Sequence, residues 1–203
     1  MLDYNIKINE IRKQSVNELR KNINSKQVSV KIKTYCEKWD DDFDNVKNKI
    51  KTDTMIARIF VKDPKKQNVY ENEALIYLQT EKEMNIKKLP AGGKNSLCLK
   101  NGNIVNKVST KTSKSIDFIE NTPEKTIYYL HKYINDEGGA QDNQYRDCVD
   151  FIEKTTKYIE KHEDNVSFVA ILDGKFFQRK NRLETLKKQY KNNRLEIKTI
   201  NDF

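Results

Sequence analysis

The sequence predicts an α/β protein in which a mixed β-sheet is flanked by helices and preceded by a helical N-terminal extension. Three observations support this fold class. Apolar residues recur at helical spacing through about the first 58 residues, several strand-like segments follow, and a long amphipathic helix then leads into a nearly unbroken apolar strand. We therefore expect a helical extension over residues 1–60 and a single α/β core over residues 61–203.

The helices of the extension are predicted from two groups of apolar residues. These are Ile8, Ile11, Val16, Leu19 and Ile23, followed by Val46, Ile50, Met55, Ile56 and Ile59. Between the two groups, residues 28–32 alternate in polarity and predict either a short strand or a joint between helices. The acidic run at 39–44 is expected to form a solvated loop or a helix start rather than a metal site.

The core is predicted to open with a helix over residues 68–84. Asn68 can cap its N-terminus, and Glu71 stands three residues later, as in a capping box. Residues 89–93 contain a proline and two glycines, which predicts a loop.

Strand signals follow this loop. The segment 96–100 is short and apolar, and Asn101-Gly102 after it is a strong hairpin signal. Further strands are predicted at 114–119 and 126–134, an amphipathic helix at 140–162, a buried strand at 166–172, a helix near 180–191 and a last strand at 194–200. A meander followed by a helical crossover makes the sheet mixed.

The composition of the chain restricts its possible functions only weakly. The chain holds 39 Lys and Arg against 30 Asp and Glu, and its net charge of +9 favours an anionic partner such as nucleic acid. An abundance of Lys, Asn and Ile would produce the same excess without any partner, so the charge alone decides little.

The three cysteines form no CxxC pair, and no apolar run approaches the roughly 18 residues that cross a membrane. We expect a cytoplasmic protein.

Two charged residues lie within predicted strands among apolar neighbours. Asp117 follows Ile116, and Lys132 lies in the next strand. An ionised carboxylate in such a position is costly to bury unless it is paired or bound to a metal. Adjacent antiparallel strands can bring both side chains to one end of the sheet, although each taken alone could simply point to solvent.

A polar segment opens the long helix that follows. Gly138 and Gly139 allow close approach of an anion to the helix N-terminus, and Gln141 shares a helical face with Tyr145. A glutamine on the core-facing side needs a polar partner, so we expect it to point at a polar site. The alternative is that this segment only caps the helix.

An Asp on one strand, a Lys on the next and a helix with Gln-x-x-x-Tyr together resemble the PD-(D/E)XK nuclease superfamily. Within it, the run Gly-Gly-Ala-Gln-Asp-Asn-Gln-Tyr at 138–145 looks like that of certain type II restriction endonucleases. The resemblance covers about residues 58–178. It implies a restriction-endonuclease-like core that hydrolyses phosphodiester bonds of double-stranded DNA with Mg²⁺, as part of a restriction-modification system.

The resemblance assigns roles by position. Asp117 would bind the metal ion, Lys132 would position or activate the attacking water, and Gln141 would lie beside the active site. The place of the second motif acid, however, is taken by Leu130, which cannot bind a hard cation. Either another group supplies the ligand or the chain is an inactive DNA-binding protein that kept the fold. The candidate replacements are Glu137, Gln141, Glu71 and Glu73.

His131 points away from Lys132 in a regular strand and is expected to be structural, with a minor role in the site as the alternative. The expected DNA contacts come from the loop with Lys94 and Asn95 and from polar or basic residues near the helices and strands of the core. These further candidates are Gln144, Tyr145, Lys111, Lys114, Arg179, Lys180 and Arg182. A homodimer is expected by analogy, because short palindromic sites suit a two-fold enzyme.

Overall fold

The computed structural model describes residues 2–106 and 115–203. The chain divides into two compact units, Asp3–Val69 and Tyr70–Phe203. The sequence placed the boundary at residue 60, whereas the division falls at 69/70, inside the helix α5 (Lys66–Thr80).

The first unit is helical. Its helices are α1 (Tyr4–Lys21), α2 (Lys26–Trp39), α3 (Phe43–Thr52) and α4 (Thr54–Ile59). Short polar residues cap their N-termini: Ser25 accepts from the backbone of Val28 at 3.3 Å, and Asp42 accepts from Asn45 at 2.7 Å. Apolar side chains from all four helices form one core in this unit.

Residues 28–32 are neither a strand nor a joint, because they lie inside α2. The buried residues of that helix are Val28, Ile32 and Cys36, which are spaced by four, so the helical period outweighs the local alternation. The expectation for the acidic run is confirmed, since Asp42 caps α3 and the neighbouring acids are exposed.

The predicted start of α5 is wrong. The helix begins at Lys66, so Asn68 lies inside it and cannot be its N-cap. Glu71 is not part of a capping box either. It is buried, and its carboxylate pairs with Lys88 at 3.1 Å.

The second unit is built on a mixed five-stranded sheet with the order β1-β4-β5-β6-β7. The strands are β1 (Ile86–Lys88), β4 (Phe118–Asn121), β5 (Thr126–Tyr133), β6 (Val166–Asp173) and β7 (Leu195–Lys198). The pairs β1–β4 and β4–β5 are antiparallel, whereas β5–β6 and β6–β7 are parallel. The predicted α/β class with a mixed sheet is therefore confirmed.

Helices flank this sheet. The long helix α6 (Gly139–Lys161) packs on β5 and β6, and α7 (Lys175–Gln178) and α8 (Arg182–Gln189) pack near β6 and β7. Cys148, Phe151 and Ile152 of α6 are buried in the core, as the amphipathic pattern predicted. All eight residues of β6 are at least partly buried, which fits a strand with neighbours on both sides.

Two strand assignments need correction. The predicted strand at 96–100 is present as β2 (Leu97–Lys100), but it forms a separate hairpin with β3 (Asn103–Asn106) across Asn101-Gly102 and otherwise makes an isolated bridge from Cys98 to Ser115. The outer strand of the main sheet is β1, which the sequence analysis missed because three residues show no usable period.

The predicted strand at 114–119 also shifts. Asp117 comes just before β4 rather than inside it, and Lys114 and Lys111 lie outside the described residues.

In the described part of the chain, the three cysteines are buried and form no disulfide. None of the helices there is long and apolar enough to cross a membrane.

Candidate active site

Asp117 is held from three directions by backbone groups. Its own N–H donates to the carbonyl of Tyr129 at 2.8 Å, and its carbonyl accepts from Leu89 at 2.8 Å. Its carboxylate oxygen Oδ2 accepts from the N–H of His131, also at 2.8 Å. The sheet therefore fixes both the backbone and one carboxylate oxygen of this residue. The other oxygen, Oδ1, accepts no hydrogen bond from a described residue.

Burial makes this carboxylate costly to ionise. Asp117 is 7% exposed, and desolvation raises its pKa to about 6. The positive charge of Lys132 acts in the opposite direction, and the negative charge of Glu71 raises the pKa further. The three residues are therefore close enough for their charges to interact, and we call Glu71, Asp117 and Lys132 the acid–lysine cluster.

Lys132 is buried near the end of β5. Its side chain makes no hydrogen bond or ion pair within 4.0 Å to any described residue, although the residue is only 6% exposed. An ammonium group in this position has given up most of its water without gaining a direct partner. It remains available to an anion that enters the site.

Glu71 reaches the cluster from α5. Its Oε2 lies 3.1 Å from the ammonium of Lys88, which also donates to Asn72 at 2.7 Å. Lys88 is opposite Phe118 in the sheet, one residue from Asp117. The sequence analysis had no signal for Lys88, because its strand was not recognised. Glu71 thus pairs with Lys88 and lies close enough to Asp117 for its charge to raise the pKa of that carboxyl.

The remaining metal candidates lie elsewhere. Glu137 is exposed and faces Arg182 at 3.4 Å. Gln141 is half-buried and makes no hydrogen bond to a described residue, and its amide oxygen lies beside Gly138. Glu73 is half-buried on α5. Across residues 2–106 and 115–203, no group of three or more His, Cys, Asp and Glu side chains is arranged to hold a metal ion.

The loop predicted to contact DNA is anchored beside Asp117. Its first residue, Leu89, donates to the carbonyl of Asp117, and Leu97 at its far end accepts from Ile116 at 2.8 Å. Lys94 and Asn95 lie exposed between these two anchors. The loop therefore emerges next to the acid–lysine cluster and returns to it.

The other DNA-contact candidates are less closely tied to this site. Tyr145 packs its ring against Phe176 and Phe177, with centroids 5.7 and 6.2 Å apart, so it contributes to the core. Arg182 stacks over the ring of Phe176 at 3.9 Å. Gln144 is half-buried, whereas Arg179 and Lys180 are exposed.

A second buried polar group adjoins the cluster, and the sequence analysis missed half of it. His131 is fully buried, and its Nε2 lies 3.2 Å from Oδ2 of Asp173 at the end of β6. The other carboxylate oxygen of Asp173 accepts from the backbone of Ile200 at 2.9 Å. We call these two residues the histidine–aspartate pair. The sequence offered Asp173 only as part of a turn, although it ends a buried strand.

Comparison with known proteins gives no further guidance. No family model matches the chain, no curated protein is significantly similar to it, and no solved structure matches its fold.

Proposed function

We propose that this protein is a Mg²⁺-dependent endonuclease of double-stranded DNA with a restriction-endonuclease-like core. The observation that carries the proposal is the acid–lysine cluster. It places two carboxylates and one unpaired ammonium, all buried, at the edge of a sheet with two antiparallel and two parallel strand pairs. This arrangement is costly to fold, because the burial of Asp117 and its repulsion from Glu71 outweigh the attraction of Lys132 and leave the pKa of Asp117 raised.

The donor set fits Mg²⁺. This ion prefers oxygen ligands and is commonly held by one or two carboxylates, with water and substrate phosphate completing its shell. Asp117 would offer Oδ1, and Glu71 would supply the second carboxylate in place of the motif acid whose position Leu130 occupies. A cluster of three acids is therefore not required. When bound, the ion would polarise the scissile phosphate and favour hydroxide formation from water.

The chain's own residues would perform the other tasks. Lys132 would place its ammonium against the phosphate, where negative charge grows in the transition state. The backbone N–H of His131 would hold Asp117 in position throughout. Lys94 and Asn95 would contact the DNA backbone from the anchored loop, which orients the scissile bond.

The test is cleavage of plasmid and genomic DNA by the purified full chain, with and without Mg²⁺. We expect discrete fragments only with Mg²⁺, and their loss in Asp117→Asn and in Glu71→Gln. Asp41→Asn and Glu124→Gln carry the same chemical changes at exposed positions and should cleave like the wild type. A smear of fragments would indicate a nuclease without site preference, and the site-specific proposal would be wrong.

A second candidate is a DNA-binding protein without catalysis. The observation in its favour is Leu130, which is fully buried at the position of the motif acid. This alternative predicts a gel shift without cleavage under every metal condition. Site specificity, a homodimer and a place in a restriction-modification system remain expectations from the resemblance. A discrete fragment pattern and the measured mass of the protein in solution would test the first two.

A further inference from the structure

The helical first unit contains a groove that the proposed nuclease activity does not use. Two adjoining cavities, of about 590 and 330 Å³, lie between α1 and α4 and share Asn9, Arg12 and Arg58 in their walls. Lys13 and Arg20 line the larger cavity, and Lys62 lines the smaller one. We call this feature the α1–α4 groove. It lies entirely within residues 3–69.

Two of its arginines are held in place by neighbours. The guanidinium of Arg12 donates to both carboxylate oxygens of Asp63, at 2.7 and 2.8 Å. That of Arg20 donates to the carbonyl of Ile50 at 3.0 Å and to the hydroxyl of Thr54 at 3.1 Å. Each guanidinium has five N–H groups, and the two bonds of Arg20 leave donors of that residue for a ligand while the orientation of both arginines is already fixed. Pre-ordering lowers the entropy lost on binding.

The charge of the groove is not balanced. Lys13 and Arg58 make no hydrogen bond or ion pair with a described residue, and the one acid in the walls, Asp63, is engaged by Arg12. Residues 3–69 hold 16 Lys and Arg against 10 Asp and Glu, and four of these acids belong to the run at 39–44. Five of these basic residues and one acid line the two cavities, a balance expected for an anion-binding groove.

We propose that the α1–α4 groove binds the phosphate backbone of double-stranded DNA. Lys13 and Arg20 are seven residues apart on α1, a rise of about 10 Å, which spans about three phosphates of one strand at roughly 3.4 Å of axis each. The cavity walls, all within the described residues, contain no aromatic side chain. Single-strand binders stack bases on such side chains, so their absence from the walls favours a duplex. Asn9 and Asn17 add neutral donors of the kind that contact phosphate oxygens.

The inference does not depend on cleavage, so it is tested without Mg²⁺. The affinity of the full chain for a labelled mixed-sequence duplex is measured in EDTA over a range of salt concentrations. Arg58→Gln and Lys13→Gln should each weaken binding by roughly tenfold near 0.1 M salt and reduce the slope of log affinity against log salt by about 1. Lys33→Gln removes the same charge from an exposed position on α2 and serves as the control.

The outcomes separate the groove from a general charge effect. The proposal stands if the two groove variants lose affinity and slope while Lys33→Gln loses neither. It is wrong if all three variants lose affinity equally, or if none does. It is also wrong if the wild type binds the single strand, or vesicles of anionic phospholipid, more tightly than the duplex. If the groove variants lose DNA affinity but the protein still cleaves DNA, only the groove proposal is affected by that loss and the proposed nuclease function stands. If the protein does not cleave DNA but the groove variants lose affinity as expected, the groove proposal stands.

Discussion

The acid–lysine cluster and the histidine–aspartate pair meet at adjacent residues of β5, and they treat buried charge differently. His131 and Asp173 face each other, and the second oxygen of Asp173 is bonded to the backbone of Ile200. Lys132 has no partner within hydrogen-bonding distance among the described residues, and Asp117 has one carboxylate oxygen without a donor. The acid of the first arrangement is bonded at both of its carboxylate oxygens, whereas the second leaves an ammonium and a carboxylate oxygen available to a ligand. This difference separates a structural polar group from a candidate site.

The largest effect is expected at Lys132. Lys132→Met keeps the unbranched apolar stem and removes the charge, so the core should tolerate the change. DNA cleavage should fall by about 10³-fold, since the proposed function gives Lys132 the task of stabilising the transition state. Single-turnover rates and chemical denaturation are measured together, with Lys125→Met as an exposed control. Full activity in Lys132→Met would show that the cluster is not catalytic.

A substitution in the histidine–aspartate pair should lower the stability of the fold, whereas Lys132→Met should lower activity. Asp173→Ala leaves His131 and the N–H of Ile200 buried beside a cavity, and we expect the free energy of unfolding to fall by about 4 kcal/mol. Urea denaturation measures the change, and the loss should be the same with and without Mg²⁺. A loss that appears only with Mg²⁺ would place Asp173 in the metal site instead.

The third expected effect is a gain of stability. The pKa of Asp117 is about 6 in the folded protein and near 4 in the unfolded chain, so the folded state binds the proton more tightly. Its stabilising contribution is complete below about pH 4 and is lost as the pH rises through about 6. Without metal at about pH 8, Asp117→Asn should therefore be more stable than the wild type by about 3 kcal/mol, and by nothing below about pH 4. Denaturation at both pH values measures the difference, and an equal gain at both would exclude the buried charge as its cause.

The smallest expected effect is ligand stabilisation. Mg²⁺ at about a hundred times its dissociation constant should raise the free energy of unfolding by roughly 2.7 kcal/mol. The gain should shrink as the pH falls below about 6, because the ion and the proton compete for Asp117. Thermal melts of the wild type and of Asp117→Asn test this, and an equal Mg²⁺ response in the variant would contradict binding at the cluster.

Part of this comparison could be predicted from the sequence. A charge among apolar strand residues is visible as a pattern, so Asp117 and Lys132 were found. Glu71 was also named, but its burial was not foreseen, because the local sequence suggested a helix cap. Glu71 is buried and contacts Lys88, which lies 17 residues further along the chain. The periodicity of a local segment cannot predict such a contact.

The sheet likewise could be predicted only in part from local sequence patterns. The strands β5 and β6 were predicted because most of the eight residues of each are apolar, aromatic or β-branched. The hairpin turn at Asn101-Gly102 was also predicted, since its backbone requires positive φ, observed as +50° and +70°. The absence of β2 from the main sheet was not predicted. The alternation of apolar and polar residues specifies which residues of a strand face inward, but it does not specify the neighbouring strand.

The two acids of the cluster lie on elements of different rigidity, and this would affect which ion the proposed metal site holds. Asp117 is bonded into the sheet through both its peptide groups, so its position can change only if strand pairing changes. Glu71 sits on α5, where Tyr70 stacks on Tyr133 with ring centroids 4.6 Å apart. Substitutions under α5 would tilt or lift the helix and so widen or narrow the gap between the carboxylates. A wider gap favours the larger Ca²⁺ over Mg²⁺, so ion selectivity would be tuned through the packing of one helix while the sheet stays unchanged.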